Sequence, residues 1–258
     1  MSAGTFAPRP GAAPFVQQVR AQAAMETKLM LRHGEQLLVA IVIPVLALVG
    51  GVLAARRGGI DLEGTGVDVL APGVLALAVM STAFTSLAIA TGFERRYGLI
   101  KRLGASPLPR SGLLLGKLGG LLVVQVVQAV VITTVALALG WSPGGGVGGA
   151  LAAVLVAVVG SAAFASLGLL VAGTLRAEAT LAVANLVYLL LLVGGAVVLP
   201  RSSYGAVGDL LAVLPSAALG DAMRAALVDG HLAVVPLLVL LAWAAVGAAL
   251  VSRFFRWE

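Results

Sequence analysis

The stretch FERRYGLIKRLGASPLPRSGLLLGKLGG, residues 93–120, places six Lys and Arg residues between two long runs that carry no charge. The run before it extends from Leu70 to Phe93, and the run after it extends from Leu118 to Leu139. Each run is long enough to cross a hydrocarbon core of roughly 30 Å as a helix that rises about 1.5 Å per residue. The stretch therefore predicts a basic loop between two membrane-spanning helices.

The rest of the chain also has the composition of a membrane protein. Of its 258 residues, 60% are hydrophobic and only 11% are charged, and the mean hydropathy is +1.07. Soluble domains carry about 25% charged residues. The charge-free apolar runs are Leu37 to Ala55, Leu70 to Phe93, Leu118 to Leu139, Val147 to Leu175, Thr180 to Leu199 and Leu232 to Val251. Because these runs are continuous and do not alternate, they predict an all-α integral membrane domain of six transmembrane helices over residues 37–252, and not a β-barrel.

The basic residues concentrate on one side of this six-helix arrangement. An even number of spans puts both termini on one side, together with the loops after the second and fourth spans. Most of the 17 Lys and Arg residues lie in those segments, whereas the first outer loop holds Asp61, Glu63 and Asp68. The positive-inside rule then places both termini in the cytoplasm and the chain in the cell (cytoplasmic) membrane as a multi-pass protein. Topology also accounts for the pI near 10.5, so no nucleic-acid partner is predicted.

The segments outside the spans are short. Residues 1–14 are rich in small residues and proline, which predicts a disordered cytoplasmic tail. Residues 15–36 mix apolar and charged positions at helical spacing, which predicts an interfacial helix on the cytoplasmic face, with a solvated helical lead-in as the alternative. Residues 253–258 form the cytoplasmic C-terminus. The longest outer segment, 200–231, contains a helix-compatible run over 217–228 that we expect to pack at the outer interface or to dip partly into the membrane.

Residue types for catalysis and metal binding are scarce. The chain has no cysteine, and its two histidines, His33 and His231, fall on opposite sides of the membrane in this topology. Neither a metal site nor an acid/base pair is therefore predicted. The phosphate-binding pattern GxxxxGK[ST] does not occur, so the chain is not expected to be an enzyme that hydrolyses ATP by itself. None of the six runs contains an ionisable residue, which disfavours an ion-coupled secondary transporter.

Several polar side chains lie within the predicted spans. Such side chains can line a translocation path, but they also hydrogen-bond between helices, and the second interpretation is favoured for most of them. The possible path residues are Ser81, Thr82, Thr85, Ser86, Gln125, Asn185 and Tyr188. Gly112, Gly116 and Gly120 recur every four residues, which permits close helix packing where the third span enters the bilayer.

The basic loop itself has the pattern of a short amphipathic helix. Residues 94–104 are compatible with a helix, and Pro107 ends it before the third span begins. Arg95, Lys101 and Arg102 project from one half of the helix and leave most apolar residues on the other. From composition alone, these charges fix the topology and touch anionic lipid head groups.

The same loop resembles the segment between the second and third spans of type-two ATP-binding-cassette (ABC) export permeases. In that family a helix with acidic and basic residues precedes a small-Pro-Leu turn, and a Gly-Lys pair then enters the next span. The matching residues are Glu94, Arg95, Arg96, Gly98, Lys101, Leu103, Pro107, Leu108, Gly116 and Lys117. Residues 29–49 and 210–227 agree with two further segments of the family, so the resemblance covers nearly the whole chain. A Leu follows Gly98 where the family often has Thr.

The resemblance implies the permease subunit of an ATP-driven exporter of the bacterial multidrug, antibiotic or lipid kind. Residues 94–106 would be a coupling helix that docks a separate ABC ATPase subunit. That subunit carries the ATP and Mg, and this chain holds no cofactor. The implied docking residues are Glu94, Arg95, Arg96, Tyr97, Gly98, Lys101 and Arg102.

Further partners and alternatives follow from the same comparison. A second copy of the chain or a related permease is expected to complete the translocation path, and membrane lipids surround it. The uncharged spans favour an amphipathic or lipid-like cargo over a small ion. The alternatives are an ion-coupled secondary transporter and a non-transporting membrane protein that passes the signal of an ATPase to an outer partner.

Overall fold

A computed structural model shows an all-α protein whose long helices follow the six predicted apolar runs. It describes residues 13–32, 34–58, 66–104 and 108–255, in which no strand occurs. The α-helices are α1 Phe15–Arg32, α2 Gly34–Arg56, α3 Gly66–Met80, α4 Leu87–Arg96, α5 Leu99–Gly104, α6 Arg110–Ala138, α7 Gly146–Thr174, α8 Ala177–Gly194, α9 Gly208–Leu211, α10 Pro215–Leu227 and α11 Val234–Phe254. A π-helical turn, Ser81–Ser86, joins α3 to α4, and a 3-10 turn, Arg201–Val207, precedes α9.

Some of the predicted segments cannot be compared with the structure. Most of the predicted tail, residues 1–12, lies outside the described residues, as do Asp61 and Glu63 of the first outer loop. The same holds for residues 105–107 of the predicted coupling segment and for residues 256–258 of the C-terminus.

Helices of membrane-spanning length and composition correspond to the predicted spans. Five of them are Gly66–Arg96, Ser111–Ala138, Gly146–Thr174, Ala177–Gly194 and Val234–Phe254, and a shorter apolar helix covers Ala40–Arg56. The prediction of an all-α, multi-pass membrane protein is therefore confirmed. We call the side predicted to hold both termini the inner side, and the opposite side the outer side.

The second span is the centre of the molecule. It runs through α3, the π-helical turn and α4. Of its most apolar stretch, 67% is buried, against 17% for the last span. Helices α2, α6, α7, α8 and α10 all pack against it. Leu70, Leu77 and Leu87 along its length are among the most deeply buried side chains. The basic loop that follows this span is thus attached to the most buried of the five long spans.

The fifth span is shorter than its apolar run predicted. The run extends to Leu199, but α8 ends at Gly194 after 18 residues. Gly195 adopts a non-helical conformation, and Ala196 has a positive φ of 50°. The chain therefore leaves the helix before the apolar residues end, because hydrophobicity alone does not define where a helix stops.

The outer segment after α8 folds back between the spans, with α10 as its buried part. Leu219 of α10 contacts Gly160, which lies fourteen residues into α7, or about 21 Å along that helix. Toward its other end, the Ala226 carbonyl lies against Gly149, close to the outer end of α7. Trp243 Nε1 donates a hydrogen bond of 2.8 Å to the carbonyl of Val213, just before α10. The helix predicted over 217–228 thus starts deep in the domain and rises to the outer side.

Arg224 holds this re-entrant segment in place. Its guanidinium donates hydrogen bonds to the carbonyls of residues 196–198 at 3.2–3.3 Å and pairs with Asp221 at 3.1 Å. Arg201 binds the other oxygen of Asp221 at 2.5 Å. These contacts satisfy carbonyl groups that the early end of α8 leaves without helical partners.

Candidate functional site

The basic loop is divided into two helices by a turn at Gly98. The second span ends at Arg96, Gly98 has a φ of 68°, and α5 begins at Leu99. A positive φ is readily adopted by glycine but is strained for other residues. The single amphipathic helix predicted over residues 94–104 is therefore wrong: Glu94, Arg95 and Arg96 belong to the last turn of the second span.

Two arginines in that last turn bind the link between α7 and α8. The Arg95 guanidinium donates to the carbonyl of Leu175, and Arg96 forms an ion pair with Glu178. The Arg96 pair is half exposed, so it adds little stability by itself. Its structural effect is to join the inner ends of the second, fourth and fifth spans.

Lys117 joins a second set of inner ends through a buried charge cluster. This side chain, in the third span, is 3% exposed. Its Nζ lies 3.0 Å from Glu26 Oε1 and 2.6 Å from Glu94 Oε2. Gln22 Nε2 donates a further bond of 2.8 Å to Glu26. One ammonium group thus bridges two carboxylates, from α1 and from the second span, in a largely buried region.

Helix α1 reaches this cluster by packing on the glycines at the start of α6. A Cβ atom at Gly116 would lie 2.3 Å from Gln22 Cγ, and one at Gly120 would lie 2.7 Å from Glu26 Cβ. The predicted close packing on these glycines is therefore present. The face of α1 that contacts α6 carries the buried Gln22 and Glu26 and the partly exposed Phe15, whereas Leu29 is exposed.

The remaining predicted docking residues lie at the surface of the inner side. The Tyr97 side chain is 70% exposed, and its ring stacks on Phe93 at a centroid distance of 6.2 Å. Lys101 and Arg102 on α5 are exposed, while Ile100 of the same helix is buried. We call Tyr97, Lys101 and Arg102, to which the family resemblance assigns a docking role, the inner docking surface. It combines two cations with an aromatic ring, a combination suited to an acidic protein partner.

Four predicted path residues lie in the π-helical turn of the second span. Thr82 is buried, and its Oγ1 donates a bond of 2.8 Å to Gln128 Oε1 of the third span. Gln128 Nε2 in turn donates to the carbonyl of Ala40 at 2.9 Å. Thr85 Oγ1 is buried and has no hydrogen-bond partner among the described residues. Ser81 and Ser86 are half-buried.

Gln125 lies one turn from Gln128 and also bonds between helices. Its Oε1 accepts a bond of 2.8 Å from Ser161 of α7, and its Nε2 donates to the carbonyl of Val79 at 3.3 Å. Gln125 and Gln128 both line a cavity of about 700 Å³ between α3, α6, α7 and α10. Thr82 and Gln125 therefore form hydrogen bonds between helices, which is the interpretation favoured for most of these residues.

The two path residues predicted in the fifth span separate in the structure. Tyr188 is buried and faces Ser81 of the π-helical turn. Asn185 is exposed on the outside of α8. Of the seven predicted path residues, Thr82, Gln125 and Tyr188 thus contact neighbouring helices, whereas Asn185 is exposed.

The sequence analysis missed Glu26 and Glu178 as members of the inner contacts. Glu26 is 91 residues from Lys117 in the chain, and Glu178 is 82 residues from Arg96. No local pattern links positions so far apart. The available signal was weaker: Glu26 stands at i+4 from Gln22 on the helix that precedes the first span, and the glycines of α6 offered a surface for it.

The geometry defines an all-α, multi-pass membrane protein. Within the part of the chain that the structure describes, no group of three or more His, Cys, Asp or Glu residues could hold a metal ion. Its distinctive feature is instead an inner surface tied to several spans, which suits the transmission of movement.

Comparison with known proteins names the family. Residues 17–228 match the family described as ABC-2 type transporter, and this chain belongs to that family. It is a permease subunit of an ABC transporter, and such permeases work with a separate ATPase subunit. A search of curated proteins found no match.

Proposed function

We propose that this permease exports an amphipathic or lipid-like molecule, a drug, an antibiotic or a lipid, across the cytoplasmic membrane, and that a separate ABC ATPase drives it. The observation that carries the proposal is the inner docking surface, whose exposed Tyr97, Lys101 and Arg102 follow the most central span. Together with Gly98 and the anchoring residues Glu94, Arg95 and Arg96, it forms the coupling unit.

The anchoring residues explain how a docked ATPase moves the spans. Arg95 and Arg96 connect the coupling unit to the α7–α8 link, and Glu94 connects it through Lys117 to α6 and α1. A displacement of the partner therefore acts on several helices at once. ATP and Mg bind to the partner, so this chain contributes movement and a path, and no hydrolytic chemistry.

The cargo class follows from the apolar interior. Apart from the charge cluster at the inner ends, the described spans bury hydroxyl and amide groups but few charges, which suits a molecule that is itself largely apolar. Asn185 and the apolar side chains around it face outward from α8, where a second copy or a related permease completes a path.

The first experiment replaces the inner docking surface and measures assembly with the ATPase. The triple variant Tyr97→Ala, Lys101→Gln, Arg102→Gln should reach the membrane normally but lose the ATPase subunit on affinity purification, together with cargo-stimulated ATP hydrolysis. Arg253→Gln, an exposed basic residue on the same inner side, is the matched control and should retain both.

Two results would contradict this function. An intact, fully active complex with the triple variant would show that these charges act only as topology signals. Transport that persists without nucleotide but stops with an uncoupler would support the ion-coupled alternative.

A further inference from the structure

The 700 Å³ cavity between α3, α6, α7 and α10 is elongated and mostly apolar. Its wall on α6 extends from Leu122 to Thr133, and its wall on α7 extends from Val147 to Val158. Each wall covers twelve residues, or about 16 Å of helix from the first to the last. Small-molecule sites in proteins occupy roughly 300–1,000 Å³, so this cavity has the size of a binding site. Its long axis follows α6 and α7, two helices of membrane-spanning length, which is also the direction of a lipid chain in a bilayer.

The polar groups at the two ends of the cavity differ in whether they have hydrogen-bond partners. At the inner end Gln125 and Gln128 are held by bonds to Ser161 and Thr82 from neighbouring helices. At the outer end lies Trp141, which is 5% exposed. Its indole Nε1–H is buried and has no hydrogen-bond partner among the described residues. A buried donor without an acceptor is unfavourable, and a ligand oxygen would satisfy it.

The cavity is also accessible from the side of the protein that faces lipid. Val126 on α6 and Val147 and Val154 on α7 line it and are exposed. An apolar molecule can therefore enter from the bilayer without crossing the polar inner end.

We infer that this cavity is a binding site for one acyl chain of an amphiphile, with an acceptor oxygen of its head group bound to Trp141 Nε1–H. The acyl chain lies between α6 and α7 and ends near Gln125. A membrane lipid and an exported amphiphile both have this chemistry. The site does not depend on the export function, because binding requires only the cavity and the indole donor.

The test uses a fatty acid with a photoreactive diazirine on its chain, added to the purified permease in nanodiscs. Crosslinked peptides should map to the cavity walls of α6 and α7. Ala153→Phe and Ala157→Phe fill the cavity from α7 and should each reduce this labelling at least fivefold. Ala245→Phe, at an exposed position on α11, adds the same ring to the lipid-facing surface and should leave labelling unchanged.

A second variant tests the head-group contact without filling the cavity. Trp141→Phe keeps an aromatic ring but removes the Nε1–H donor, so the fatty acid concentration for half-maximal labelling should rise about three- to tenfold. A rise of the same size with an analogue of the probe whose carboxyl group is replaced by a methyl group, which has no acceptor oxygen, or no rise at all with the acid, would overturn the assignment of Trp141.

Further outcomes separate the possible occupants. Labelling that spreads evenly over all lipid-facing helices, or that does not respond to Ala153→Phe, would indicate ordinary lipid contact and would overturn the proposal. Because the chain contains no cysteine, Val154→Cys gives a single thiol. Efficient disulfide formation between two copies at this position would overturn the proposal in favour of a dimer contact.

The source of the amphiphile is read from the assembled transporter. If the fatty acid stimulates ATP hydrolysis and Ala153→Phe removes that stimulation but not the basal rate, the bound molecule is cargo. If a lipid from the membrane remains bound through purification and hydrolysis does not respond to it, the bound molecule is a resident lipid. Both results support the site, and a failed docking experiment leaves this test intact.

Discussion

Replacing Lys117 should destabilise the inner end of the protein more than replacing either of its partners. Lys117→Met removes the one cation that lies between Glu26 and Glu94, at 3.0 and 2.6 Å, and leaves two buried carboxylates next to each other. Removing one partner of a buried ion pair typically lowers the free energy of unfolding by about 3–5 kcal/mol. Glu94→Gln leaves the Lys117–Glu26 pair intact, so its effect should be clearly smaller.

Thermal unfolding of the purified chain in detergent measures this difference. A loss of 3 kcal/mol corresponds to a midpoint lower by about 6–12 °C, at roughly 2–4 °C per kcal/mol for a chain of this size. Lys28→Met, at an exposed position of α1, is the control and should change the midpoint by less than about 1–2 °C. Equal midpoints for Lys117→Met and Lys28→Met would refute the stabilising role of the cluster. Equal losses for Lys117→Met and Glu94→Gln would refute the reasoning about two carboxylates sharing one cation.

Two further substitutions test the packing around the site. Gly116→Ala should destabilise the protein by about 1–3 kcal/mol, because its Cβ would overlap Gln22 of α1; Gly148→Ala on α7, which meets open space, is the control, and a loss of equal size there would refute the α1 contact. Arg224→Gln should free the chain after α8 from its three carbonyl bonds and increase its cleavage by protease added from the outer side. The exposed Arg57→Gln should not change cleavage, and an unchanged pattern for Arg224→Gln would contradict the role of Arg224.

The spans could be predicted from the sequence because each rests on a continuous run of apolar residues. A run such as Leu118 to Leu139 needs no knowledge of its neighbours, since the bilayer itself selects for it. The end of α8 at Gly194 could not be predicted in this way. It depends on carbonyl groups that Arg224 binds from a helix 30 residues further along, and hydrophobicity carries no information on such contacts.

The location of the basic loop could be predicted from the sequence, but the separate contacts of its residues could not. The basic loop and the glycines of α6 were visible as local patterns. The roles of Arg95, Arg96 and Glu94 as anchors depend on Leu175, Glu178 and Lys117, which only the folded chain brings near. Composition also could not show that α1 turns Glu26 inward, because a charged side chain on an amphipathic helix normally faces water.

The single glycine turn between α4 and α5 gives the inner end two mechanical parts. Glu94, Arg95 and Arg96 lie before Gly98 and are fixed to neighbouring helices, so the ends of those spans form a common platform. Lys101 and Arg102 lie after it, on the six-residue helix α5. Ile100 of this helix is buried, so α5 is also packed against the inner end. Under the proposed function, a force that a docked ATPase applies to α5 would therefore act on the ends of several spans together.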